Sequence, residues 1–197
     1  MWRTSLACAA LASTAWFCAS SLTEDFDVWT AEGARRLQVQ RAPVAAPHAV
    51  LASSGMNLHD VLAQRVTIAS FIYTRCASVC LAVGSNFQQL QQAIDALPAP
   101  DIGLLSISFD PAHDTADQLA RYAAQWRADP KHWQIVTVPD ALQLQRLLDA
   151  WQVVVIDDGR GGYEHNAALL MIDPHGRLVR IFDEADSAAA LAFARSL

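Results

Sequence analysis

No stretch of this sequence gathers lysine and arginine into a stripe or cluster. The 14 Lys and Arg are outnumbered by 20 Asp and Glu, for a net charge of −6. Nucleic acid, which is held through a basic footprint, is excluded as the expected partner. There is no internal repeat and no sign of a second domain. Cysteine is scarce: there are four, and Cys8 and Cys18 fall in an apolar N-terminal run. Only Cys76 and Cys80 remain for the rest of the chain, too few to staple a small disulfide scaffold. A close pair of this kind reads instead as a metal site, a redox dithiol or a local disulfide. Charged residues make up 17% of the chain and hydrophobic ones 53%, part of that excess lying in the first 22 residues. A length of 197 residues suffices for one domain with a full-sized core.

Residues 1–22 begin with a single Arg3, run through an Ala-rich apolar stretch to Leu22, and end at Glu24, Asp25 and Asp27. The pattern is that of a signal peptide or an N-terminal membrane anchor. Cleavage after Ser20 would leave Cys18 and Ser20 at the −3 and −1 positions. Residues 4–22 are, alternatively, about long enough to span a bilayer. A buried core helix is the plainer alternative. Neither Cys8 nor Cys18 sits in a lipoprotein-type sequence. Export or anchoring would put the remainder on the oxidising, periplasmic or extracytoplasmic side. Residues 23–47, ending in Ala42-Pro-Val-Ala-Ala-Pro-His, read as a linker or extended edge, and residues 48–197 as the folded domain.

Within that domain, residues 48–59 suggest a hairpin turning at Ser53-Ser-Gly55. Val66–Tyr73 is β-branched and aromatic, the composition of a buried strand. Residues 79–97 carry Val79, Val83, Phe87, Leu90, Ile94 and Leu97 at helical spacing, stopped by Pro98 and Pro100. Ile102–Phe109 is a second buried strand. A polar turn, Asp110–Thr115, leads through a capping threonine into helix 116–127. Strand 133–138, an Asp140-capped helix 141–150, a short extended piece 151–156 and an exposed loop 157–162 follow. Strands 166–173 and 177–182 flank a hairpin turn at Pro174-His-Gly176, and a helix over 185–196 closes the chain. The order β-α-β-α-β-α-β-β-α predicts an α/β sandwich of thioredoxin-like type, with a central mixed sheet and flanking helices.

The chemistry centres on Cys76 and Cys80, at the carboxyl end of the 66–73 strand and the start of the next helix. That edge of an open α/β sheet is where ligands bind. On a helix, positions i and i+4 share a face, close enough for a disulfide or for two thiolates on one metal. A helix N-terminus also favours the thiolate. Spacing alone therefore leaves redox and metal roles open. Of the six histidines, His165 stands out. If strand 166–173 pairs near strand 66–73, His165 arrives at the cysteine edge, and two thiolates with one imidazole suit Cu(I) and accept Cu(II). A lone histidine is otherwise a surface or capping residue, and His48, His59, His113, His132 and His175 are all expected to be solvated.

Three blocks carry a family resemblance: Phe71-Ile-Tyr-Thr-Arg-Cys-Ala-Ser-Val-Cys80, then Ser106-Ile-Ser-Phe-Asp-Pro-Ala-His-Asp-Thr115, then Gly162-Tyr-Glu-His165 with Leu169-Leu-Met-Ile-Asp-Pro-His-Gly176. In this order and spacing they resemble the Sco/SenC proteins. The resemblance implies a thioredoxin-like domain outside the cytoplasmic membrane that binds copper through Cys76, Cys80 and His165. It implies a role in assembling the copper centre of cytochrome c oxidase, or in acting on its thiols. The partner would be a copper-accepting oxidase subunit or another copper chaperone. Asp110, Pro111, Asp114 and Thr115 match the middle block, read as a loop and cap near the site. The sequence departs from the family where proline usually follows each cysteine, here Ala77 and Leu81, and where Glu164-His165-Asn166 replaces Asp-His-Ser. Two other readings of the same fold are a thiol-disulfide oxidoreductase using Cys76 and Cys80 as its catalytic redox pair, and a thiol peroxidase, for which Arg75 is the one nearby activating cation.

Overall fold

The computed structural model describes residues 2–52, 55–63, 65–76, 79–98 and 101–197, with only the backbone of residues 79–81. The chain divides into two units, meeting at Arg41 and Ala42. The first holds helix α1 (Trp2–Leu22) and helix α2 (Ala31–Arg41). α1 is long and apolar enough to cross a membrane, and none of it is buried. The helix α2 lies inside the stretch expected to be a linker. Its Glu32 pairs with Arg35 and Arg36 at 3.1 and 3.2 Å, the i,i+3 and i,i+4 spacing that supports a short polar helix.

The second unit carries a six-stranded sheet in the order β1-β8-β7-β2-β3-β4. Its strands are β1 (Val44–Ala45), β2 (Val66–Ile72), β3 (Ile102–Ser108), β4 (Trp133–Thr137), β7 (Leu169–Ile172) and β8 (Arg177–Phe182). The proline-flanked Val44-Ala45 forms the short edge strand, antiparallel to β8. All seven residues of β2 and of β3 are buried, as expected of mainly apolar strands covered on both faces, with Thr67, Ser70, Ser106 and Ser108 as their buried polar members. β2 runs parallel to β3 and antiparallel to β7, so the mixed sheet changes sense at its centre.

Helix α4 (Val79–Asp95) lies against β3, α7 (Ser187–Ala194) against β2, β7 and β8, and α5 (Ala116–Trp126) along β4. Trp151, directly after α6 (Ala141–Ala150), packs edge-on against Phe71 of β2 with ring centroids 6.1 Å apart. The expected caps are present: Thr115 Oγ1 accepts from Gln118 N–H and Asp140 Oδ1 from Gln143 N–H. A short helix α3 (Leu58–Leu62) replaces the far end of the expected 48–59 hairpin. The arms of that hairpin meet at the Val50–Asn57 bridge, with the Leu51 amide donating to the Met56 carbonyl at 2.9 Å and the Leu58 amide to the Ala49 carbonyl at 2.7 Å, and residues 53–54 of its turn lie outside the described residues. The piece at 151–156 continues into a separate two-stranded ribbon, β5 (Val155–Asp157) with β6 (Tyr163–His165). The sequence pattern predicts a loop over 157–162 and a strand from 166, with no strand at 163–165, where β6 lies.

Candidate metal and thiol site

Cys76 follows β2 in a tight turn, its N–H donated to the Tyr73 carbonyl at 3.3 Å. The two residues before it are fixed from the 110–115 turn. Asp114, fully buried, accepts the Thr74 amide at 3.0 Å and the Thr74 hydroxyl at 2.5 Å. The Ser108 hydroxyl also donates to it at 2.5 Å. Asp110 is buried and accepts from Arg75 Nη2 at 2.7 Å. Burial alone would raise the Asp110 carboxyl, but hydrogen bonds from Arg75 and His113 outweigh it and hold the group below the ordinary carboxylate range. A buried carboxylate persists when its charge is paired and hydrogen-bonded. The middle block, expected as a loop and cap, is thus the anchor of the thiol-bearing turn. Cys76 is 8% exposed. Cys80 is the second residue of α4.

His165 reaches the same edge by the route anticipated. In the antiparallel pairing Ala69 stands opposite Leu170 and Thr67 opposite Ile172, so the entrance to β7 abuts the exit of β2. β6 then ends at His165, opposite Val155. The imidazole is half-buried, with its ring 5.1 Å from Phe109 and 6.4 Å from Tyr73. Removal from water pushes its pKa below the ordinary histidine value, so the ring is neutral at pH 7 and no proton need leave before it binds a metal.

The Tyr73 hydroxyl secures the ribbon to β2. It accepts the Tyr163 amide and donates to the Tyr163 carbonyl, both at 3.2 Å. Asn166, in the place where the resembled family carries serine, accepts the Val154 amide at 2.8 Å and donates to the Gln152 carbonyl at 3.0 Å. Asp158 closes the loop by accepting the Arg160 and Gly162 amides at 2.7 and 2.9 Å. A Cβ on Gly162 would stand 2.6 Å from the Asp158 carboxylate, so a side chain there would have to push that carboxylate aside. Tyr73, Tyr163 and Asn166 fall within or beside the three blocks, but the sequence assigns none of them, nor Asp158, a structural role. Only Asp157-Asp-Gly offered a signal, as a turn-forming run.

Among the described residues no three His, Cys, Asp or Glu side chains gather into a metal-holding group. The Cys80 side chain, one member of the expected set, lies outside those residues. The donor chemistry fits a soft metal: a sulfur and an imidazole are carried to one sheet edge, and the imidazole is oriented by aromatic packing. Of the other histidines, His48, His59, His113 and His175 are exposed as expected. His132 is not. It is buried, with Nε2 3.5 Å from Asp95, because Asp129 accepts its amide and draws the turn onto the start of β4. A groove of about 640 Å³ lies elsewhere, between α5 and β4, and holds none of these residues.

This is a thioredoxin-like fold with Cys76 and His165 at one sheet edge. The SCO1/SenC family model matches residues 38–194, and the chain belongs to that family. The SCO1 protein homolog of Bacillus subtilis is 23% identical over 126 residues, covering 63% of this chain and 65% of that protein. This chain thus spans under two thirds of that relative's length. Among solved structures, Bradyrhizobium japonicum ScoI with copper bound superposes with a TM-score of 0.64 at 21% identity, covering 77% of this chain and 98% of the other. BsSco, described as a member of the Sco family of cytochrome c oxidase assembly proteins with a disulfide switch, gives a TM-score of 0.68 at 19% identity, covering 79% and 94%.

Proposed function

We propose that this protein is a copper-binding metallochaperone that serves assembly of the copper centre of cytochrome c oxidase, supplying copper or preparing thiols there. Cys76, Cys80 and His165 hold the ion as cargo, in a low-coordinate soft set that can open to a partner. α1 directs the domain out of the cytoplasm, as a cleaved signal or a retained anchor. The receiving partner is a copper-accepting oxidase subunit or another copper chaperone. Transfer proceeds by ligand exchange, partner thiols replacing these donors one at a time.

The observation that carries this reading is the antiparallel β2–β7 pairing, which brings an imidazole 85 residues beyond Cys80 to the cysteine edge. Membership of the SCO1/SenC family and the copper-bound ScoI neighbour support it. The thiol-disulfide oxidoreductase is the second reading, favoured by the place of Cys80 in the first turn of a helix. The peroxidase reading loses its activating cation, because Arg75 is engaged by Asp110.

The test is a titration of the reduced full chain in detergent with Cu(I) under a competing chelator, repeated with His165→Ala. Tight one-to-one binding that weakens sharply in the variant supports the proposal. An absence of competitive binding in the wild type overturns it, and a reduction potential near that of dedicated dithiol reductants would favour the second reading.

A further inference from the structure

His113 was expected to be an idle surface residue. Its ring is 53% exposed, yet its Nδ1 lies 2.9 Å from Oδ1 of the buried Asp110. The other carboxylate oxygen, Oδ2, accepts from Arg75 at 2.7 Å, and Arg75 Nη2 also stands 3.1 Å from His113 Nδ1. The neighbours choose the tautomer. A bare Nδ1 would turn its lone pair on a carboxylate oxygen at 2.9 Å, which is repulsive. An Nδ1–H donated to Asp110 gives each carboxylate oxygen one donor, and in the neutral ring it leaves the lone pair on Nε2. A carboxylate that holds one ring nitrogen protonated, so that the other is presented to a metal, is the usual support of a histidine ligand. Arg75, the residue that His113 touches, directly precedes Cys76, and Cys76 itself is buried.

We propose that His113 is an outer copper ligand, binding the arriving ion through Nε2 and passing it to Cys76, Cys80 and His165. This rests on the copper role proposed above. The handover is an exchange without redox change. The Nε2–copper bond breaks as a thiolate–copper bond forms, the copper keeps its oxidation state, and any displaced thiol proton goes to water. Any proton on Nε2 goes to water as the ion binds.

The test separates rate from equilibrium. Reduced full chain in detergent is mixed with a coloured Cu(I)–chelator complex in stopped flow, for the wild type, His113→Ala and His113→Gln. Both variants should load about tenfold more slowly, with the equilibrium Cu(I) affinity unchanged under competing chelator. A companion measurement uses Cys76→Ser/Cys80→Ser/His165→Ala chain with Cu(II), read by electron paramagnetic resonance. A nitrogen-coupled signal should be present and should weaken when His113→Ala is added but not when His59→Ala is. Unchanged loading rates, or a loss of affinity matching the loss of rate, would overturn the proposal. Failure of the wild type to take up copper at all would overturn it together with the function proposed above.

Discussion

Thr74 and Asp114 are joined through both polar groups of the threonine: amide and hydroxyl donate to one buried carboxylate, at 3.0 and 2.5 Å. The residue two places before Cys76 is thereby tied to a loop 40 positions further along. Asp114→Ala would leave these donors and the Ser108 hydroxyl facing the interior with no acceptor. The expected cost is about 1–3 kcal/mol, measured by urea denaturation. Cu(I) affinity should fall with it, whereas a change at the distant His59 should leave both quantities alone.

Tyr73→Phe removes one oxygen and with it both bonds to the Tyr163 backbone. Stability should drop by about 0.5–1.5 kcal/mol. The local signature is faster hydrogen exchange at the Tyr163 amide, and a weaker hold on His165 should lower metal affinity.

Gly84 tests the packing independently of the site. A Cβ there would stand inside the Trp126 indole, where α4 meets α5. Gly84→Ala should cost about 1–3 kcal/mol through overpacking, lowering the thermal midpoint with no change in metal affinity.

The hairpin pair Asp173–Arg177 sets an acid limit. Burial would raise the Asp173 carboxyl, but hydrogen bonds from the Arg177 side chain and amide and from the His175 amide hold it below its ordinary value of 3.8. A carboxylate depressed in the fold stabilises it above the unfolded-state pKa and loses that contribution as pH falls through the folded-state value. Asp173→Asn should therefore be clearly less stable than wild type at pH 7, and the difference should shrink below a pH of about 4. Denaturation curves at the two pH values check this.

The parts of the site legible in the sequence are those that one stretch of chain dictates. The β-branched run of β2 and the cysteine spacing are local, and the place of His165 followed once β7 was assumed to lie beside β2. The Asp114–Thr74 and Asp110–Arg75 anchors could not be read, since each needs closure between residues 40 and 35 positions apart. α2 was missed because 23–47 was read from its proline-rich end, and its support is a set of charge pairs, not an apolar stripe. His132 was misplaced because burial depends on what packs over it, which its polar neighbours Lys131 and Asp129 do not disclose.

The sheet order also sets a sequence of events. β2 gains its parallel neighbour β3 within the following 30 residues but its other neighbour, β7, only about 100 residues on. As the chain emerges, the two thiols come out well before the imidazole and before the strand that brings it. Contacts between distant segments close late and slowly. The young protein therefore passes through an interval in which its cysteines are present without their histidine, open to oxidants and to stray metals. The finished fold ends that interval by docking its last third.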